Sequence, residues 1–185
     1  MTTTVLGAKK VSRSIGRYST GRPVTSSLGE GDTGVRLCGA RHAGQTADLM
    51  ETTELILDTD GRQLVDLTDR AAEFCRAAGD GLLHVFAPHA TAGLALMELG
   101  SGSEADLGEL LDRLLPKDDR YRHRHGSPGH GADHLLPVLV SPSLVLPVVD
   151  GRVQLGTWQS IVLVDLNRDN PRRRVRLSFL GSAPV

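Results

Sequence analysis

Hydrophobic periodicity is absent from the first part of the chain and then begins abruptly. Residues 1–49 are rich in Thr, Ser, Gly and Arg and sustain neither a helical nor a strand repeat. They read as disordered, or as an over-extended start, because Met50 stands directly before the first clean strand pattern. Residues 53–57 and 62–67 are strand-like runs flanking Asp58-Thr59-Asp60-Gly61, which predicts a β-hairpin. Thr68 is placed to cap a helix through its hydroxyl. Ala71, Phe74, Cys75 and Ala78 then recur at three- and four-residue steps, and Gly79 is expected to close the helix. Residues 82–87 predict a short strand, the small residues of 90–93 permit close backbone approach, and 94–97 resume the apolar run. A second helix is expected from Ser103, with Leu107, Leu110, Leu111, Leu114 and Leu115 forming one packing stripe that Pro116 ends. Residues 117–133 follow as a polar loop rich in Gly and His. Loops of that length inside a small domain are often functional. Residues 144–148, 153–155, 161–166 and 175–180 read as consecutive strands, with Asp150-Gly151 as a turn. The pattern is that of one α+β domain over residues 50–182 with a short tail at 183–185.

Composition narrows the function. With 21 basic and 22 acidic residues, the chain lacks the positive footprint that nucleic acid or an anionic membrane demands. The only two cysteines, Cys38 and Cys75, build neither a disulfide framework nor a CxxC knuckle, so a reducing cytoplasm is the expected setting. Cys75 reads as a core residue rather than a reactive thiol. No apolar run approaches the roughly 20 residues of a spanning helix, and residues 1–20 lack a secretory block, so a soluble protein is expected. Because aromatic residues make up only 3% of the chain, Leu, Val, Ile and Ala must fill the core, and oligomerisation would help it.

Six of the seven histidines fall between positions 84 and 134: His84, His89, His123, His125, His130 and His134. Three imidazoles can hold zinc or a related ion and leave a position for water or substrate. The His123-Arg124-His125 spacing matches no diagnostic finger, and a solvated His-rich loop would have the same composition. Arg172, Arg173, Arg174 and Arg176 could gather phosphate, but strand alternation splits them between two faces. They read instead as a solvated strand edge that resists aggregation.

Several ordered blocks carry a family resemblance. Pro88-His89-Ala90-Thr91-Ala92-Gly93 is similar to a PHTTA-type motif, with Ala90 where Thr or Ser is usual. Met97-Glu98-Leu99 resembles an NEN motif of which the central Glu98 survives, and Asp106 falls where the next helix carries an acid. Tyr121-Arg122-His123 resembles a YxH element, and Ala132-Asp133-His134-Leu135 an (A/S)HI element. Residues 143–148, 151–152 and 156–159 match the pattern SLxLPV, GR and GTWQ. Together these blocks resemble the YjbQ (UPF0047) family over residues 51–181.

The resemblance implies an α+β domain of mostly antiparallel sheets with two main helices, trimerising through sheets packed around a threefold axis. It implies a metal centre of His89, His123 and His134 near a subunit boundary, leaving His84, His125 and His130 as buried or solvated imidazoles. His130 is the closest rival to His134. Glu98 is then a carboxylate that orients a histidine or moves a proton, or else a plain exposed acid. Asp106 is a secondary catalytic candidate that the helix dipole alone would also explain. Thr91, Trp158 and Gln159 are the substrate-binding candidates; Trp158 reads otherwise as a core or interface residue, and Gln159 as a loop brace. The implied activity is that of a secondary thiamine-phosphate synthase, joining a pyrimidine pyrophosphate to a thiazole phosphate. Zinc is the expected cofactor, with Mg²⁺ an option where pyrophosphate departs. The alternatives are metal-dependent hydrolysis of a small molecule, which suits three imidazoles better, and a non-catalytic trimer that binds a metal or metabolite.

Overall fold

Strand β7 (Ser160–Asp165) is buried along almost its whole length, which requires a layer on each of its faces. A computed structural model describes residues 50–118 and 120–181; Cys38 and the segments expected to form an N-terminal extension and a tail lie outside them. Eight strands and four helices follow in the order β1 (Met50–Asp58), β2 (Leu64–Asp66), α1 (Thr68–Cys75), β3 (Gly81–Phe86), β4 (Ala92–Met97), α2 (Ser103–Leu114), α3 (His130–Asp133), α4 (Leu136–Leu139), β5 (Ser143–Val149), β6 (Arg152–Val153), β7 and β8 (Arg172–Gly181). A five-stranded sheet has the order β1-β8-β3-β5-β6, and a three-stranded sheet the order β2-β7-β4. Every pairing is antiparallel. The expected α+β class with two main helices is the one observed, α3 and α4 being single turns.

The two sheets and α1 close around one apolar core that includes Leu57, Leu67, Cys75, Leu83, Val85, Leu163 and Leu177. Cys75 is fully buried there, and burial raises its thiol pKa, in keeping with a packing role. Val164 and Leu166 enter a second cluster with Leu111, Leu115, Ala132 and Leu136, so the helical segment covers the other face of the small sheet. Of the leucine stripe on α2, Leu111 and Leu115 are buried, whereas Leu110 and Leu114 are exposed. At Gly93 the approach to Val140 is so close that an added Cβ would collide with the Val140 carbonyl. Among the described residues no helix is long and apolar enough to cross a membrane.

Four local expectations need correction. The turn at Asp60-Gly61 has positive φ at both residues, 49° and 71°, and Arg62 N–H bonds the Thr59 carbonyl at 2.8 Å, as a tight turn should. The flanking strands do not pair, however: β1 pairs β8 and β2 pairs β7, so the turn passes the chain from one sheet to the other. The Thr68 hydroxyl does not cap α1. It donates to Asp66 Oδ1 at 2.6 Å and accepts the Ile161 N–H at 3.0 Å, while Asp66 Oδ1 takes the Thr68 N–H. The helix ends at Cys75, ahead of Gly79. Nor is the arginine-rich strand an edge, since β8 lies between β1 and β3.

Arg173 on β8 faces inward and is 2% exposed. Its Nε and Nη2 each lie 2.7 Å from an Asp165 carboxylate oxygen on β7, and Nη2 also donates to Thr91 Oγ1 at 3.2 Å. The pair therefore bridges the two sheets. Removing one member of a buried, hydrogen-bonded ion pair costs about 3–5 kcal/mol, whereas replacing both by apolar residues can be nearly neutral. Arg173→Met is expected to lose stability of that order in urea unfolding, and Arg173→Met with Asp165→Leu to recover most of it. Equal losses in the single and double variants would contradict a bridging role.

Candidate metal centre

α3 is one turn long, and the chain leaves it at His134, so His130 and His134 stand four residues apart on the same side. Their Nε2 atoms face each other at 2.9 Å. The preceding loop brings His123 and His125 onto the same spot: ring centroids are 4.2 Å apart for His123 and His134, and 5.0 Å for His125 and His130. One ring nitrogen from each of the four lies within 4.8 Å of the others. Tetrahedral coordination with bonds of about 2.0–2.1 Å requires nitrogens about 3.3 Å apart, so side-chain rotation would be needed to bring the four into a ligand shell. His130 is buried, His134 half-buried, and His123 and His125 exposed. The outer pair borders a cleft of about 230 Å³ lined also by Asp118, Tyr121 and Arg124.

Tight glycines make this loop possible. A side chain on Gly131 would stand 2.6 Å from Tyr121 Cβ and 2.9 Å from the His123 carbonyl, so glycine lets the His123 strand of the loop lie against α3. Carboxylates stand behind the rings. Asp169 Oδ2 is 3.0 Å from His130 Nδ1, off the line of a ring N–H, which makes the contact one of charge more than of aligned hydrogen bonding. Asp133 Oδ2 lies farther off at 3.9 Å, and its Oδ1 is 2.7 Å from Lys117 Nζ. Burial pushes the Asp133 carboxyl up in spite of Lys117, whereas the Ser127 N–H, with help from His130, holds Asp169 below its usual range.

The residues singled out in the sequence fall in separate places. His123 and His134 are in the cluster together with His125 and His130, which the family resemblance set aside. His89 is not in it. Its Nε2 lies 2.8 Å from the Arg174 N and 3.1 Å from the Arg174 carbonyl O, and its pKa is lowered by burial and then by the Arg173 charge. Thr91 is buried, its hydroxyl accepting from Arg173 and Asn167. Glu98 is exposed just beyond the far end of β4, and Asp106 is exposed in the first turn of α2. Trp158 is 72% exposed, which excludes the core reading, and Gln159 Oε1 accepts the Gly156 N–H at 2.9 Å, bracing its own turn. The polar loop also proves shorter than expected, since His130–Asp133 is helical. Two signals could have found the other two histidines of the cluster: the HxH at 123 and 125, and the four-residue interval between 130 and 134. Asp169, thirty-nine positions beyond His130 (169 − 130), had none.

Comparison with known proteins agrees with the fold. Residues 53–182 match the family described as UPF0047 protein YjbQ-like. The chain is 64% identical over 131 residues to UPF0047 protein Rv2556c of Mycobacterium tuberculosis, covering 71% of this chain and 98% of that protein. It is 36% identical over 134 residues to a UPF0047 protein of Methanothermobacter thermautotrophicus, covering 70% and 92%. Among solved structures, hypothetical protein APE1520 of Aeropyrum pernix superposes with a TM-score of 0.64 at 34% identity, covering 71% of this chain and 99% of that one. A protein of the yjbq/upf0047 family from Clostridium acetobutylicum gives 0.61 at 28%, covering 68% and 98%.

Packing lowers the pKa values of His123 and His134, neighbouring imidazoles adding to the effect, and His89 is lowered too. All three lie below the ordinary imidazole value of 6.5 in the folded chain. As pH falls through that value the unfolded chain takes up protons first, so stability is retained above it and lost as pH drops through the folded values. Urea unfolding of the metal-free protein from about pH 7.5 to about 5 is therefore expected to show falling stability. The raised Asp133 carboxyl acts in the opposite sense, so the decisive profile is that of Asp133→Asn, in which a flat or rising curve would contradict the histidine shifts.

Proposed function

The chain belongs to the YjbQ-like UPF0047 family, and from that premise we propose that it is a metal-dependent enzyme acting on a small molecule, with its centre at His123, His125, His130 and His134. The observation that carries this reading is the convergence of four imidazole nitrogens within 4.8 Å. An all-nitrogen donor set suits zinc or a neighbouring transition ion; Mg²⁺ prefers oxygen donors and retains its waters. A bound ion would supply Lewis acidity for hydrolysis of a small substrate. His130 and His134 would hold it from the protein side. His123 and His125 are exposed at the cleft, so either can yield a position to substrate, and Tyr121 and Arg124 border the space a substrate would enter.

Hydrolysis fits the donor set best. Thiamine-phosphate synthase activity is the second reading, supported by the matching segments at 143–148, 151–152 and 156–159. Purified wild type is expected to retain about one transition ion per chain, and His130→Ala with His134→Ala to lose it at least tenfold. His89→Ala separates the two ligand sets: retained metal favours the four-histidine centre, and lost metal favours the set with His89. Wild-type protein that neither carries nor takes up zinc would refute the reading. Rescue of a strain unable to couple the thiamine halves would favour the synthase, and metal retention without turnover of any small ester, amide or phosphate would favour a binding protein.

A homotrimer is part of the same proposal. The register puts Leu82 between Pro147 and Leu180 on the outer face of the five-stranded sheet, with His84 between Val145 and Ser178. Leu82, Val145, Val149 and Leu180 are all exposed there, an apolar surface of the kind that marks an interface. Light scattering is expected to give three times the chain mass, and Leu82→Glu with Val145→Glu to lower it. A monomeric wild type would refute the trimer.

A further inference from the structure

We infer that Asp169 is the positioning residue of the histidine centre, holding His130 by Nδ1 so that Nε2 faces the other rings, and that it is itself set in place from the buried Arg173–Asp165 pair. The inference rests on the metal reading above and names a residue that the family motifs do not include.

A ladder of short turns leads from the ion pair to the histidine. Asp165 Oδ1, already paired with Arg173, accepts the Asn167 N–H at 3.0 Å. Asn167 Oδ1 accepts the Asp169 N–H at 2.7 Å. Each side chain thus captures the N–H two residues on, which fixes the direction of the next side chain. Asn167 is 7% exposed and is held on its other side, where Nδ2 donates to Thr91 Oγ1 at 3.3 Å. Arg173 donates to the same hydroxyl. The end of the ladder is therefore rigid although Asp169 sits in an exposed loop.

Asp169 then ties that loop to the histidine loop. Its Oδ2 accepts the Ser127 N–H at 3.1 Å and lies 3.0 Å from His130 Nδ1. Gly126, at φ +82°, closes over the contact: an added Cβ would stand 2.8 Å from His130 Cγ and 2.9 Å from Asp169 Oδ2. Asp133 is the rival partner, but it is more distant and already engaged by Lys117. A carboxylate 3.0 Å from Nδ1, even off the line of a hydrogen bond, favours the ring proton on that nitrogen by its charge and so leaves the Nε2 lone pair for a cation.

The test is zinc affinity by competition with a chromophoric chelator, together with ¹⁵N shifts of the His130 ring, on the full chain. Asp169→Ala is expected to weaken zinc binding by about 10–100-fold and to release His130 from its Nδ1–H form. Asp169→Asn keeps an acceptor for Ser127 without the charge, so a smaller loss is expected, with Nδ1–H retained. Asn167→Ala leaves the carboxylate but cuts its tether, and weakens binding in the same direction while His130 remains folded into the site. Wild-type protein that binds no zinc sinks the metal reading and this inference with it. If wild type binds zinc and a folded Asp169→Ala matches it with an unchanged His130 tautomer, the inference alone is overturned.

Discussion

The bidentate contact between Arg173 and Asp165 sits where the chain repeatedly changes sheets. Arg173 begins β8 in the large sheet, and Asp165 ends β7 in the small one. Thr91 precedes β4, and its hydroxyl accepts from Arg173; Thr59 follows β1, and its hydroxyl reaches Asp165 Oδ2 at 3.4 Å and the Pro171 carbonyl at 3.1 Å. Three crossovers, from β1 to β2, from β3 to β4 and from β7 to β8, thus meet at one polar corner between two apolar sheets. A guanidinium is a suitable centre for it, because its planar fork satisfies both carboxylate oxygens and still has a donor for the hydroxyl. Desolvating two charges is costly, so the pair contributes less as net attraction than as a constraint, because separating its members would leave a buried charge uncompensated.

This corner explains which parts of the fold were legible. Strand and helix positions followed from period and turn chemistry, because those act over a few residues. The Asp60-Gly61 turn was recognised for the right reason, its two positive φ values, yet the partner of β1 lies more than a hundred residues away, and no local signal distinguishes a hairpin from a crossover. The same limit applied to β8. Alternation correctly divided its arginines between two faces, but charge suggested that both faces were wet. Asp165, eight residues earlier but at the end of a strand in the other sheet, is what allows Arg173 to be buried, and no strand or helix period relates the two positions. Thr68 likewise looked like a cap because its strand partner Ile161 was not visible locally.

The site was legible in a similar way. Histidine density marked the loop in which the imidazoles converge, and the resemblance picked out His123 and His134 within it. The fold adds His125 and His130 because a single helical turn and glycines at 126, 129 and 131 fold the loop onto itself. The other candidates separate along β4. Thr91 lies at the end nearest Asn167 and the histidines. Glu98 lies beyond the opposite end with Trp158 and Gln159, whose neighbour Ser160 pairs with Met97. Six extended residues span about 20 Å, so within one chain the two groups cannot act on the same small atom.

Charge balance separates the two carboxylates beside His130. Four imidazoles are neutral as ligands, so a divalent ion among them gains no offset from its first shell. Asp133 offers little, since Lys117 already neutralises it and burial favours its protonated form. Asp169 differs on both counts. It is partly exposed, its carboxyl pKa is held low by Ser127, and it lies 3.0 Å from His130 Nδ1. In the proposed metal centre, a negative charge placed there would reach a bound ion through one imidazole, strengthening that nitrogen as a ligand without occupying a coordination position. That arrangement keeps the outer histidines free to face the cleft, and it makes the fold's buried ion pair and its histidine loop parts of a single connected structure.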